Sequence, residues 1–115
     1  MATISSHTLN GVDGTHASGI GVRLVNRTSG AVLFEAETDE GGRLSQEADI
    51  SASDPDASYE LVFETGSYWE AIGMPRKTPQ IMTEIVVRFQ MLDPDARYHI
   101  PVILSPNSYS VWWSG

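Results

Sequence analysis

Cysteine is absent from the sequence, and its absence excludes disulfide bonds, thiolate nucleophiles and zinc–thiolate sites. Positive charge is scarce as well: 7 Lys and Arg stand against 15 Asp and Glu, which leaves a formal net charge of -8. The phosphates of nucleic acids and anionic membrane surfaces repel a chain of this charge. We therefore expect neither nucleic acid nor a membrane as a partner.

Long apolar runs and targeting signals are also missing. No run approaches the roughly 18 residues that a membrane span requires, no basic and apolar leader precedes Thr3, and the last residues are not a peroxisomal signal. These absences lead us to expect a cytoplasmic protein. The histidines and acids show no metal-ligand spacing, so we expect neither a metal nor another cofactor.

Short runs rich in β-branched and aromatic residues, separated by turn residues, make up most of the chain. One short helix is predicted over 65–73, with Thr65 as its cap, Tyr68, Trp69 and Ile72 on its apolar side, and Gly73 near its end. The seven or eight predicted strands include 3–10, 20–25, 31–38, 45–50 and 59–63, and the last residues are predicted to form an ordered strand. This spacing favours an all-β, two-sheet sandwich formed by a single domain over 1–115, with a small barrel as the alternative.

Three histidines and one arginine are the candidates for chemistry. His7 and His99 each lie in a predicted strand, and taken alone each fits a hydrogen-bonded structural histidine better than a catalytic one. His16 lies in the glycine-rich segment 11–19, which we expect to be an exposed, adaptable loop with a plain surface histidine. Arg43 follows two glycines; it is either a surface charge or a fork of donors for an anionic or carbonyl-rich ligand.

Five stretches occur in an order that identifies a family. They read I-S-S-H-T-L-N at 4–10, T-D-E-G-G-R-L at 38–44, Y-E-L-V-F-E-T-G at 59–66, E-I-V-V-R-F at 84–89 and Y-H-I-P-V-I-L-S-P at 98–106. Together they resemble the transthyretin-like family, and within it the 5-hydroxyisourate hydrolases more than the vertebrate hormone carrier. The last stretch is close to the hydrolases' Y-H-V-P-L-L-L-S-P, and the likeness runs nearly from end to end.

The resemblance implies a transthyretin-like β-sandwich with one short helix. It also implies a homotetramer whose sites lie between dimers and bind a small-molecule substrate. The hydrolases use two histidines and an arginine, which correspond here to His7, His99 and Arg43 as catalytic residues. The tail departs from the family, because the hydrolases end in Y-R-G-S and this sequence ends in W-W-S-G at 112–115. Asn10 replaces the family's aspartate.

The altered tail suggests an altered substrate. Two indoles bring large, flat apolar surfaces with a single N–H donor each, so we expect Trp112, Trp113, Ser114 and Asn10 to contact a substrate that is larger and more aromatic than 5-hydroxyisourate. Packing of the tryptophans at a subunit interface is the alternative. We predict an acid–base enzyme of the cyclic amide type: a ring-opening hydrolase, or a cyclase or isomerase of specialised metabolism. A genuine 5-hydroxyisourate hydrolase of urate catabolism and a non-catalytic binding protein are the alternatives.

Overall fold

The chain forms nine strands and one helix, and the strands lie at the short β-rich runs of the sequence. A computed structural model describes all 115 residues. In chain order the elements are β1 (Ala2–Asn10), β2 (Gly21–Asn26), β3 (Val32–Glu37), β4 (Arg43–Ala48), β5 (Tyr59–Phe63), α1 (Thr65–Ala71), β6 (Ile85–Phe89), β7 (Arg97–His99), β8 (Val102–Ser105) and β9 (Ser108–Val111). The seven-residue α1 is the only helix, and no helix is long or apolar enough to cross a membrane.

Two sheets face each other, which confirms the predicted sandwich. One has the order β4-β1-β8-β9, with β7 also paired to β1, and the other has the order β3-β2-β5-β6. The residues of β1 alternate between buried and half-buried, as expected for a strand with one face on the core. Two of its inward side chains, Ala2 and Ile4, join a cluster of 20 buried hydrophobic residues between the sheets, and the other three are buried polar residues. Its outward side chains include His7.

The predicted strand around His99 is interrupted, which raises the number of strands to nine. His99 is the last residue of β7, and β8 begins at Val102. Between them lies Pro101, which has no N–H to donate and therefore cannot continue a sheet ladder. Both pieces pair in parallel with β1, so the chain keeps its direction across the break.

Two details of the helix and the tail differ from expectation. Thr65 is the first helical residue and not the cap; the cap position is Glu64, whose side chain makes no capping bond. Ile72 is 48% exposed, and the helix buries only Tyr68 and Trp69 among its aromatic and aliphatic side chains. The last strand ends at Val111, so the two neighbouring tryptophans follow the strand and do not belong to it.

Candidate functional site

The candidate histidines and arginine lie on the outer face of three neighbouring strands. In the β1–β4 register Arg43 is the direct partner of His7. In the β1–β7 register His99 is the partner of Ser5, two residues from His7 on the same face of β1. The fold thus brings His7, Arg43 and His99 side by side, although 92 positions separate the first from the last.

The turn before β4 holds Arg43 in this position. The Asp39 carboxylate accepts hydrogen bonds from the backbone N–H groups of Gly41 and Arg43, both at 2.9 Å. Gly42 has a φ of 72°, and a Cβ there would overlap the Thr8 carbonyl oxygen. The Thr8 N–H donates to the Gly42 carbonyl at 2.7 Å. Glycine at this position therefore lets the turn dock on β1 and sets the start of β4.

The Arg43 guanidinium has no partner within the chain. It makes no ion pair and no side-chain hydrogen bond, whereas Arg23 is paired with Glu64 and Glu84. An open depression of about 230 Å³ lies beside Arg43, and its lining includes Asp39 and Ser45. A free, planar fork of donors at an open depression is suited to binding carboxylate or carbonyl oxygens of a ligand.

The His99 ring is held by a hydroxyl group. Its Nδ1 lies 2.8 Å from Ser5 Oγ. Because a hydroxyl can donate or accept, Ser5 can hold either neutral tautomer of the ring and leaves Nε2 for a substrate or water. The backbone N–H of Ser114 donates to the His99 carbonyl at 2.9 Å, and these two residues form an antiparallel bridge. Of the residues predicted to contact substrate, Ser114 is the one that the fold places beside a candidate catalytic residue.

A third histidine lies at the site: His16 is exposed, as predicted, but it contacts His7 and is more than a plain surface residue. His16 Nδ1 lies 3.0 Å from His7 Nε2, and the two ring centroids are 5.0 Å apart. An isolated bridge pairs His16 with Leu9, the outward residue next to His7 on β1. A signal for this was present in the sequence: Asn10-Gly11 is a turn dipeptide, and a chain that reverses there returns alongside β1.

The loop that carries His16 is exposed, as predicted, and hydrogen bonds tie it to β1. The Asn10 N–H donates to the Thr15 carbonyl at 2.8 Å, and the Ala17 N–H donates to the Thr8 carbonyl at 2.9 Å. The Asp13 carboxylate accepts from the N–H and the hydroxyl of Thr15. These bonds lower the pKa of Asp13, with the hydroxyl as the main cause. His16 is thus held in place on both sides.

The environment of His7 disfavours its charged form. Partial burial lowers the pKa of His7, and the positive charge of Arg43 lowers it further, while a hydrogen bond to the Gly41 carbonyl opposes them; His16 and His99 add smaller lowering effects. A neutral imidazole near pH 7 results, which suits a residue that exchanges protons.

Asn10 does not contact a ligand on this face, which corrects the prediction of a substrate contact. It is 1% exposed and points into the sandwich, where its Nδ2 donates to the Tyr68 hydroxyl at 3.0 Å. Its Oδ1 accepts the N–H groups of Val12 and Asp13. Asn10 therefore ties the helix and the His16 loop to β1.

The two tryptophans line a different cavity. An apolar cleft of about 630 Å³ contains both of them, and none of His7, Arg43 and His99 lines it. Its other lining residues come from β6, the β6–β7 loop, β7, the connection after β7, and β9, and they include Phe89, Leu92, Tyr98, Ile100 and Val111. Trp113 is 66% exposed. Within one subunit the tryptophans therefore do not line a cavity with His7, Arg43 or His99.

Comparisons with known proteins agree over nearly the whole chain. The HIUase/Transthyretin family model matches residues 4–113. The 5-hydroxyisourate hydrolase of Caulobacter vibrioides is 30% identical over 116 residues, which cover 97% of each chain. That of Pseudomonas aeruginosa is also 30% identical, and the match covers 97% of this chain and 90% of the relative.

Solved structures show the same fold. The structure of Klebsiella pneumoniae 5-hydroxyisourate hydrolase matches with a TM-score of 0.78 at 26% identity and covers 98% of this chain and 99% of that one. A crystal structure of (S)-allantoin synthase matches with a TM-score of 0.83 and covers 99% of this chain and 44% of that chain. Its identity is 22%, so this likeness concerns the fold alone.

Proposed function

The chain belongs to the HIUase/Transthyretin family, and from that premise we propose that it is an acid–base hydrolase that opens a cyclic amide. One observation carries the proposal: His7, Arg43 and His99 share one open sheet face, and Arg43 has no acidic partner there. Curated relatives at 30% identity are named 5-hydroxyisourate hydrolase, which makes 5-hydroxyisourate the first candidate substrate.

His99 is suited to activate the water. With Nδ1–H donated to Ser5 Oγ, its Nε2 carries a lone pair that can take a proton from water as the oxygen attacks the ring carbonyl. The Arg43 guanidinium then stabilises the negative charge that develops on the carbonyl oxygen. The Ser5 hydroxyl is a positioning group in this scheme, since it holds the ring and accepts the Nδ1–H of the tautomer in which Nε2 is the base.

His7 is suited to the second proton transfer. When the tetrahedral intermediate collapses, the bond between the ring carbon and the ring nitrogen breaks, and the nitrogen takes a proton from His7. The water has then supplied a hydroxyl group to the carbonyl carbon and a proton to His99. His99 releases that proton to solvent, and His7 regains from solvent the proton that it gave to the nitrogen. No cofactor enters this balance.

A different cyclic substrate is the second candidate, and the W-W-S-G tail favours it. The hydrolases place an arginine where this chain has Trp113, so a contact for a very polar substrate is replaced by an apolar, flat surface. If the tryptophans of a neighbouring subunit cover the histidine face, a larger aromatic ring would fit there. Closure of that kind excludes water and would favour cyclisation or isomerisation over hydrolysis.

Assembly into a homotetramer is part of the proposal. The apolar cleft is open, and Leu92 and Trp113 at its margin are 74% and 66% exposed. Exposed apolar surface of this extent is typical of a protein–protein interface. We expect light scattering to give the mass of four 12.6 kDa chains for the wild type and a smaller assembly for Trp113→Ala. A monomeric wild type would contradict this part of the proposal.

The role of Arg43 can be tested with a matched pair of variants. The assay follows freshly generated 5-hydroxyisourate by ultraviolet absorbance. Arg43→Met should lower kcat/KM by roughly 100-fold or more, because it removes the donors for the oxyanion. Arg27→Met should be nearly neutral, since Arg27 is half exposed and its only acidic partner is 3.9 Å away. Equal activity of the two variants would refute the role assigned to Arg43.

A further inference from the structure

The His7–His16 contact requires a hydrogen atom between two imidazole nitrogens. At 3.0 Å, His7 Nε2 and His16 Nδ1 are at hydrogen-bonding distance, so one of them donates and the other accepts. The direction matters for the site, because only the donor can pass a proton to the other ring.

The surroundings of the two rings decide the direction. His7 is half-buried and faces Arg43 on β4 and His99 on β7, and burial and the Arg43 charge both disfavour a positive charge on its ring. His16 is exposed, where water can solvate a charged ring. An imidazolium carries a hydrogen on both nitrogens, so a charged His16 donates its Nδ1–H and His7 Nε2 accepts it. The neutral His7 ring then carries its own proton on Nδ1.

We infer that His16 is a functional residue of the site, which donates its Nδ1–H to His7 Nε2 and passes a proton to His7 as His7 releases its own proton to the substrate. A proton taken up from water resides on the exposed His16 ring, while the partly buried His7 stays neutral beside Arg43. This inference deepens the proposed function, since it assigns the route by which the acid of the second step is recharged.

The proton balance of the relay is complete. When His7 Nδ1–H passes to the leaving nitrogen, the Nδ1–H of the His16 imidazolium crosses the 3.0 Å bond to His7 Nε2. His7 ends as the other neutral tautomer, and His16 ends as a neutral ring. A proton from solvent then binds the vacated Nδ1 of His7 and the Nε2–H returns to His16 Nδ1, so both rings are restored and no other co-reactant is required.

The loop geometry supports a fixed pair and not a chance encounter. Backbone bonds hold both neighbours of His16, with Thr15 bonded to Asn10 and Ala17 bonded to Thr8. The Thr8 hydroxyl also donates to the Ala17 carbonyl at 2.7 Å. None of these bonds involves the imidazole, so His16 can be replaced without loss of the bonds that hold the loop.

Nuclear magnetic resonance of the ¹⁵N-labelled histidine rings tests the pair without any substrate. In the wild type we expect His7 Nε2 to be unprotonated at neutral pH and the pair to titrate in two steps separated by about one pH unit or more. In His16→Phe we expect a single His7 step at higher pH, because a neighbouring charge has been removed. Val12→Ala, an exposed change in the same loop, should leave the wild-type titration unchanged.

Two results of this experiment would overturn the inference. One is a protonated Nε2 on wild-type His7, which reverses the direction of donation. The other is the same His7 titration in the wild type and in His16→Phe. Neither result depends on the identity of the substrate, so a failure of the inference is distinguishable from a failure of the proposed function.

A rate measurement on 5-hydroxyisourate separates the relay from mere positioning. His16→Asn keeps an N–H donor near the position of Nδ1 but cannot be recharged, so kcat/KM should fall about tenfold, as in His16→Phe. Full activity of His16→Asn would refute the relay.

Discussion

Replacement of Gly42 by alanine should destabilise the protein more than an alanine at any open turn glycine. Gly42 has a φ of 72°, and its Cα faces the backbone of β1 and of the His16 loop. A Cβ there would overlap the Thr8 carbonyl oxygen and would lie 3.3 Å from the Ala17 nitrogen. Both neighbours are backbone atoms in bonded segments, so neither can move aside as a flexible side chain would.

A control glycine separates the conformational cost from the steric cost. Gly30 has a similar φ of 83°, and nothing lies within 4 Å of a Cβ at this position. Gly30→Ala should cost about 1 kcal/mol, which is the left-handed penalty less the gain from a stiffer unfolded chain. Gly42→Ala carries the same cost and about 1–3 kcal/mol for overpacking, so we expect a total of about 3 kcal/mol.

Urea unfolding followed by tryptophan fluorescence measures both variants. All samples need the same protein concentration, because an assembly makes the apparent stability depend on concentration. The slope with urea should match that of the wild type, so that the midpoints report stability alone. If the two variants lose equal stability, the close approach of Gly42 to β1 is not what sets the position of β4.

Two further predictions concern Asn10 and His7. Asn10→Leu should lower the free energy of unfolding by about 3 kcal/mol in the same assay, because it leaves the Tyr68 hydroxyl and two loop N–H groups without their partner. A loss below about 1 kcal/mol would contradict the stabilising role of these buried hydrogen bonds. The pKa of His7 is lowered from 6.5 in the folded state. As the pH falls, His7 is therefore protonated in the unfolded chain before it is protonated in the folded protein. The free energy of unfolding should fall as the pH drops below about 6.5, until the folded pKa is passed. His7→Gln should lose this slope, and an unchanged slope would contradict the lowered pKa.

The strands and the sandwich could be predicted from the residues because their signals are local. Alternation along β1 and the turn at Asp39–Gly42 depend on neighbours in sequence. The pairing of His7 on β1 with Arg43 on β4 is not local in sequence, and only the family resemblance indicates it. The Ser5–His99 bond joins residues 94 positions apart, and no sequence pattern within either strand indicates it.

The errors have physical reasons as well. The glycines around His16 indicate an exposed loop, but they do not reveal that Asn10 and Asp13 supply side-chain acceptors that place His16 beside His7. Asn10 is close to His7 in sequence, but three residues along a strand reverse the face, so the Asn10 side chain points inward. Trp113 lies in a cleft whose walls come from both sheets, which periodicity cannot reveal.

The decay of freshly generated 5-hydroxyisourate, with and without the protein, is the most direct test of the central claim. His99→Asn is run beside it, since it removes the titrating ring, and Gly30→Ala serves as a folded variant with its substitution at a turn glycine outside the site. We expect the wild type and Gly30→Ala to accelerate the decay and His99→Asn to be slower by at least about 100-fold. Acceleration that survives His99→Asn would contradict the assigned chemistry. No acceleration by the wild type would exclude 5-hydroxyisourate as the substrate.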